Sequence, residues 1–158
     1  MSRAFVKEND QAPPPPVPER HVSSAPNRVT PRGARLIEEA IATLEQEVAR
    51  VPEGEASPSV LRDLRYWRAR KSSLQIVAPN PNPTSVGFGA QVTIRRKGRM
   101  RDLTIVGEDE ADPAKGLIAW TGPLARALDG AAAGETVEFD TGGGAEEITV
   151  TAIQASSS

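Results

Sequence analysis

The chain has 158 residues, including 14 prolines, 13 glycines, one histidine and no cysteine. The absence of thiols excludes disulfides and cysteine chemistry, and a single histidine, His21, argues against a histidine metal site or a Ser/His/Asp triad. A net charge of −2 argues against general nucleic-acid binding by the whole protein. Neither a signal peptide nor a run of about 20 apolar residues is found, which predicts a soluble cytoplasmic protein that does not engage membranes.

Residues 1–29 are interpreted as a disordered, proline-rich arm. The run Pro13–Pro16 favours polyproline II, and the flanking serines, asparagine and charged residues cannot bury a core. A flexible tail and a proline-rich ligand for a partner domain are the two interpretations. The tail is preferred because proline itself is the only docking feature.

Residues 30–77 predict a short antiparallel coiled-coil hairpin. Thr30 and Pro31 are a cap and first-turn pair, and an apolar stripe follows at Ile37, Ile41, Leu44 and Val48. Pro52–Glu55 then turns the chain. The second helix, residues 58–77, has a heptad stripe at Val60, Leu64, Trp67, Lys71 and Leu74. Arms of about 20 residues predict a hairpin about 30 Å long.

Residues 78–85 are a Pro/Asn linker, because alternating prolines block both helix and sheet pairing. Residues 86–154 then change to the alternating pattern of strands, with one short helix over Pro123–Leu128. This half predicts a small α+β domain with an antiparallel sheet, and residues 155–158 are a tail. The fold class of the chain is therefore α+β.

Two charged segments have competing interpretations. The acids of Val106–Pro113 are interpreted as a solvated loop, because adjacent acids on an extended chain diverge and lack calcium-loop spacing. The basic cluster Arg95–Arg101 is interpreted as a solvated hairpin tip, with a phosphate contact as the alternative, since no aromatic residue is interleaved with it. Glu53 and Glu55, at the helical hairpin tip, could hold a divalent cation with waters, but ordinary turn glutamates are preferred.

Three ordered motifs carry a family resemblance. Val86–Thr93, Thr104–Pro113 and Gly122–Leu128 closely resemble the C-terminal domain of the GreA/GreB transcript elongation factors, and the turn Gly142–Gly144 follows where expected. The opening Ser2–Glu8 looks like that of the GreB branch, while residues 29–77 resemble the family loosely.

The resemblance implies an FKBP-like fold without prolyl isomerase activity, in a monomer that grips the coiled coil at the rim of the secondary channel of bacterial RNA polymerase. Contact with nascent RNA or DNA would be indirect. The polymerase-binding positions implied here are Thr121, Gly122, Pro123, Leu124 and Arg126, and Trp120 is added as a candidate because it precedes this segment. Gly122 departs from the family's usual serine or acidic residue, which puts one polar contact in doubt.

The helical hairpin departs further from the family. Members that stimulate transcript cleavage carry an Asp and a Glu at the tip of a longer coiled coil, where they help bind Mg²⁺ in the polymerase active site. That pattern is absent here, and the hairpin is about ten residues shorter, or about 15 Å at 1.5 Å per residue. Metal–ligand distances tolerate errors of only about 0.2 Å. Shortened hairpins resemble those of Rnk-type relatives, which bind polymerase without the cleavage role.

The sequence therefore predicts a non-enzymatic regulator of transcription elongation that has no catalytic residues, no metal site and no cofactor of its own. Two alternatives stay open. In the first, Glu53 and Glu55 stimulate transcript cleavage with Mg²⁺ shared with the polymerase active site. In the second, the chain is a stand-alone peptide-binding or prolyl isomerase-like module, which would need a deep pocket built from Phe88, Trp120 and Phe139.

Overall fold

A computed structural model describes residues 15–156, which form a helical hairpin packed against a five-stranded sheet domain. The helices are α1 (Pro31–Ala49), α2 (Pro58–Ser73) and α3 (Pro123–Leu128). The strands are β1 (Arg28–Val29), β2 (Gln75–Ile76), β3 (Ala90–Arg96), β4 (Arg99–Val106), β5 (Leu117–Ala119), β6 (Thr136–Asp140) and β7 (Ala145–Ala155). The predictions for residues 1–14, including the GreB-like opening, and for residues 157–158 lie outside the described residues.

The apolar stripe of α1 forms the core of the hairpin. Thr30 caps the helix by accepting a hydrogen bond from the Gly33 N–H at 3.0 Å, and Pro31 occupies the first turn. Ile37 and Ile41 are buried against Leu64 of α2. The 19 residues of α1 give a length of about 28 Å.

Helix α2 ends four residues earlier than predicted. Residues 74–77 are extended, and β2 pairs in parallel with β1 through hydrogen bonds from the Gln75 N–H to the Asn27 carbonyl and from the Val77 N–H to the Val29 carbonyl, at 2.8 and 2.9 Å. Pairing with β1 satisfies the backbone groups that a longer helix would have satisfied. The buried face of α2 also differs from the predicted heptad stripe, because Lys71 is exposed and Arg70 is buried in its place.

The prediction of a disordered arm is wrong for residues 15–29. Val29 is buried in the hairpin core, and Asn27 is buried beside α2. Further along, the Arg20 guanidinium lies 3.7 Å from the centroid of the Tyr66 ring. Strand pairing and stacking on α2 therefore order a segment whose proline-rich composition predicts no core of its own.

The sheet has the order β5-β4-β3-β7-β6 and confirms the α+β class. Pairs β3–β4, β3–β7 and β6–β7 are antiparallel, as predicted, but β5 lies parallel to β4. The parallel pair forms because two 3₁₀ turns, Glu108–Glu110 and Pro113–Lys115, carry the chain back before β5 begins. Strand β7 extends to Ala155, one residue into the predicted tail.

The core of the sheet domain lies between α3 and one face of β3, β4 and β7. Its members are aliphatic, as the scarcity of aromatic residues requires, and they are Val86, Ala90, Val92, Ile94, Leu103, Ile105, Ala125, Leu128, Ala131, Ile148 and Val150. Within residues 15–156, no helix is both long and apolar enough to cross a membrane.

Candidate functional site

The predicted polymerase-binding residues lie on one turn and the short helix that follows it. The Trp120 N–H donates to the Val106 carbonyl at 2.9 Å, which continues the pairing of β5, and the Gly122 N–H then donates to the Ala119 carbonyl at 2.9 Å. Pro123 opens α3, as predicted. Ala125 and Leu128 anchor α3 in the core, whereas Pro123 and Arg126 are exposed.

A concavity of about 240 Å³ adjoins this segment. Two of the six predicted residues, Trp120 and Arg126, line it together with Phe88, and Asp129 contributes a carboxylate at its edge. The indole N–H of Trp120 is buried and has no hydrogen-bond partner within residues 15–156. Thr121, Gly122, Pro123 and Leu124 do not line this concavity.

Arg28 also belongs to this site, although the sequence did not indicate it as a candidate. Its guanidinium lies 4.9 Å from the centroid of the Trp120 ring and lines the same concavity. A cation over an indole face is held by the ring quadrupole. No local pattern marks this residue, because β1 brings it to the site from a segment that precedes the hairpin.

The hairpin tip is solvated. Glu53 and Glu55 are both exposed, and the turn is closed by a hydrogen bond from the Glu55 N–H to the Pro52 carbonyl at 3.0 Å. Gly54 has a φ of +84°, a left-handed conformation that glycine adopts without strain. No cluster of three or more histidine, aspartate or glutamate side chains suited to a metal ion occurs within residues 15–156.

The acidic segment after β4 is a junction between hairpin and sheet domain, not the solvated loop predicted. Glu110 is buried and accepts from the Thr30 N–H at 3.1 Å, the Thr30 hydroxyl at 2.5 Å and the Gly107 N–H at 3.2 Å. These bonds hold the first residue of the hairpin against the sheet domain. We call Thr30, Arg70, Asp109 and Glu110 the clasp.

The second half of the clasp is an ion pair with side chains 2% and 8% exposed. Asp109 accepts from Arg70 Nε at 2.5 Å and from the Tyr66 hydroxyl. Burial, and then the hydrogen bond to Asp109, raise the pKa of Tyr66 to about 12. Asn27 accepts from the Arg70 guanidinium at 2.7 Å, so the buried charge is hydrogen-bonded on two sides.

Comparison with known proteins finds similarity between the sheet domain and transcription elongation factors. Residues 80–155 match the family described as "Transcription elongation factor, GreA/GreB, C-term". The sheet domain is therefore similar to the C-terminal domain of the GreA/GreB factors.

Individual relatives are similar over part of their length. GreB of Neisseria meningitidis serogroup A is 36% identical over 96 residues, which are 59% of this chain and 59% of the relative. GreA of Bradyrhizobium diazoefficiens is 43% identical over 72 residues, 44% of this chain and 46% of the relative. The crystal structure of GreA factor homolog 1 of Thermus thermophilus aligns with 83% of this chain and 100% of its own, at 16% identity and a TM-score of 0.41.

Proposed function

We propose that this chain is a non-enzymatic regulator that binds bacterial RNA polymerase at the secondary channel and modulates elongation without stimulating transcript cleavage. The similarity of residues 80–155 to the C-terminal domain of GreA/GreB transcription elongation factors supports the polymerase as its partner. In this proposal the surface around Trp120 and α3 supplies the affinity, and the helical hairpin occupies the channel. The protein acts in the cytoplasm and takes no cofactor of its own.

The hairpin tip is the observation that carries the non-cleaving part of the proposal. Helix α1 has 19 residues, so the tip lies only about 28 Å from the clasp. Glu53 and Glu55 project there into solvent, and within residues 15–156 no group of acidic or histidine side chains joins them to form a metal site. Two exposed carboxylates at the tip of a short helical hairpin, with no such neighbouring side chains among the described residues to orient them, lack the positioning that binding a shared metal ion requires.

A cleavage assay on backtracked elongation complexes tests this part. We expect the protein to leave the rate of RNA shortening at the level of polymerase alone, and the variant Glu53→Gln/Glu55→Gln to behave identically. Rapid Mg²⁺-dependent shortening that is lost in the double variant would establish the alternative, in which the two glutamates are the cleavage-stimulating pair.

Polymerase binding is tested separately, by co-elution with purified bacterial RNA polymerase. Pro123→Ala/Leu124→Ala should abolish co-elution. Because Leu124 also packs on the core, Arg126→Glu provides a second variant at an exposed position. Lys115→Glu, a charge reversal at another exposed position of the sheet domain, is the matched control and should co-elute normally. Failure of the unmodified protein to co-elute would overturn the proposal.

A peptide-binding or prolyl isomerase-like module is the candidate from another class. The concavity beside Phe88 and Trp120 is about 240 Å³, below the range of about 300–1,000 Å³ usual for ligand pockets. Phe139 does not line it. We therefore expect no catalysis of prolyl isomerisation in a standard peptide assay.

A further inference from the structure

We propose that the tip of the β3–β4 hairpin is a sequence-independent binding site for the phosphate backbone of duplex nucleic acid. The site, which we call the basic tip, consists of Lys97, Arg99 and Arg101. All three residues are exposed. This inference does not depend on polymerase binding, because it concerns direct contact with free nucleic acid.

Strand register places two of these cations, Arg99 and Arg101, on one face together with Arg96. Arg96 is paired with Arg99, and Ile94, which points into the core, is paired with Arg101. Paired residues of an antiparallel ladder share a face, so Arg99 and Arg101 continue the core face beyond the end of the core. Together with Lys97 and Arg96 they line a shallow basin of about 540 Å³.

Most of this charge is not neutralised within the protein. Arg96 is paired with Glu146 through two hydrogen bonds, of 2.7 and 2.9 Å. The cations of the basic tip, by contrast, make no ion pair within residues 15–156. Arg101 donates instead to the Pro113 carbonyl at 2.7 Å, which orients its guanidinium and leaves its charge intact. Since the Debye length is about 8 Å at physiological salt, a nearby phosphate responds to these charges more than to the net charge of the chain.

The turn residue adds a positive charge that the turn geometry does not require. Lys97 has a φ of +49° and Gly98 a φ of +73°, and Lys97 is the one non-glycine residue with positive φ in the described part of the chain. Two-residue turns with positive φ at both positions favour Asn-Gly or Asp-Gly. Lysine therefore occupies a position where turn geometry favours asparagine. Compared with asparagine, Lys97 adds a positive charge at the rim of the basin.

The composition of the basin favours nucleic acid over an acidic protein. Protein interfaces have an apolar, aromatic-rich centre, whereas nucleic-acid interfaces are polar and strongly positive. The basin is lined only by Arg96, Lys97, Arg99 and Arg101. The exposed apolar residue of this hairpin, Met100, is paired with Arg95 on the opposite face. Residues 90–106, which form this hairpin, contain no aromatic side chain on which a base could stack, and this favours a duplex over a single strand.

The test is a salt titration of binding between the full chain and a fluorescent DNA duplex of arbitrary sequence. Each neutralised phosphate contributes about 0.9 to the slope of log K against log [salt], so we expect a slope of about −3. Arg99→Gln/Arg101→Gln should reduce its magnitude by about 2. The matched control, Arg35→Gln/Arg50→Gln, removes the same charge from exposed positions on the helical hairpin and should leave the slope unchanged.

Lys97→Asn separates a binding role from a folding role. Asparagine suits the left-handed turn better than lysine, so the variant should keep or raise the thermal midpoint while the salt slope falls in magnitude by about 1. A slope near zero, or equal losses in the two double variants, would overturn the proposal. So would equally tight binding of poly-glutamate, because the basin would then recognise acidic protein surfaces.

Discussion

Arg70 of the helical hairpin and Asp109 of the sheet domain form a buried ion pair, with Arg70 Nε 2.5 Å from Asp109 Oδ2. The two residues belong to elements that pack separately, since the hairpin and the sheet each have their own apolar core. The direction of the hairpin relative to the sheet domain is therefore held largely by polar contacts. Such contacts are directional, and they specify one arrangement where apolar packing alone tolerates several.

Breaking this pair on one side should be strongly destabilising. Arg70→Met leaves the Asp109 carboxylate buried without its charge partner, a change that costs about 3–5 kcal/mol in comparable sites. Urea denaturation measures the loss. Arg68→Met is the matched control, because Arg68 pairs with Glu45 at the surface, where ion pairs contribute about 0–1 kcal/mol. Equal effects of the two substitutions would show that the buried pair has no special role.

Replacing Gly33 by alanine should change the stability of the protein in the direction opposite to that usual for a helical glycine. Replacing a helical glycine by alanine ordinarily stabilises a protein by about 0.5–1 kcal/mol. Here a Cβ at position 33 would overlap the Glu110 carboxylate, which is held in place by Thr30. We therefore expect Gly33→Ala to lower the thermal midpoint. Gly87→Ala, whose Cβ would meet nothing within 4 Å, is the control and should be close to neutral, and a stabilised Gly33→Ala would contradict the clasp.

The sequence predicted those parts of the fold that are determined by residues close together in the chain. Period-two alternation of apolar residues indicated β3, and the cap pair Thr30-Pro31 marked the start of α1. Parallel pairing of β5 was not predictable, because three residues of strand carry no signal of direction. Strands β1 and β2 were not predictable either, because each has only two residues and forms only by pairing with the other.

The clasp escaped prediction for a different reason. The sequence predicts that Asp109 and Glu110 are exposed to solvent, because burying a carboxylate without hydrogen-bond partners is costly. Their partners lie far away in the chain, 39 residues for Arg70 and 80 for Thr30. Only the packed structure shows that these charges are satisfied. Arg28 was missed in the same way, since its relation to Trp120 exists only after β1 has paired.

Arg28 should contribute to polymerase binding if the Trp120 surface is the docking site. The guanidinium stacks over the indole, and such pairs contribute about 0.5–1 kcal/mol at exposed sites. Arg28→Ala should therefore weaken polymerase binding about two- to five-fold and leave the far-ultraviolet circular dichroism spectrum unchanged. Arg32→Ala, near the start of α1, is the comparison variant. An unchanged affinity for Arg28→Ala would remove this residue from the proposed surface.

Tyr66 makes the clasp sensitive to alkaline pH. Burial and Asp109 raise its pKa from 10 to about 12 in the folded protein, so the folded state holds the phenolic proton more tightly than the unfolded chain. The resulting stability is complete below pH 10 and is lost as the pH rises from 10 to about 12. Tyr66 is the single tyrosine, so phenolate absorbance reports this pKa directly. Unfolding midpoints in urea across this range should fall more steeply for the unmodified protein than for Tyr66→Phe, and parallel curves would show that the phenol does not titrate against folding.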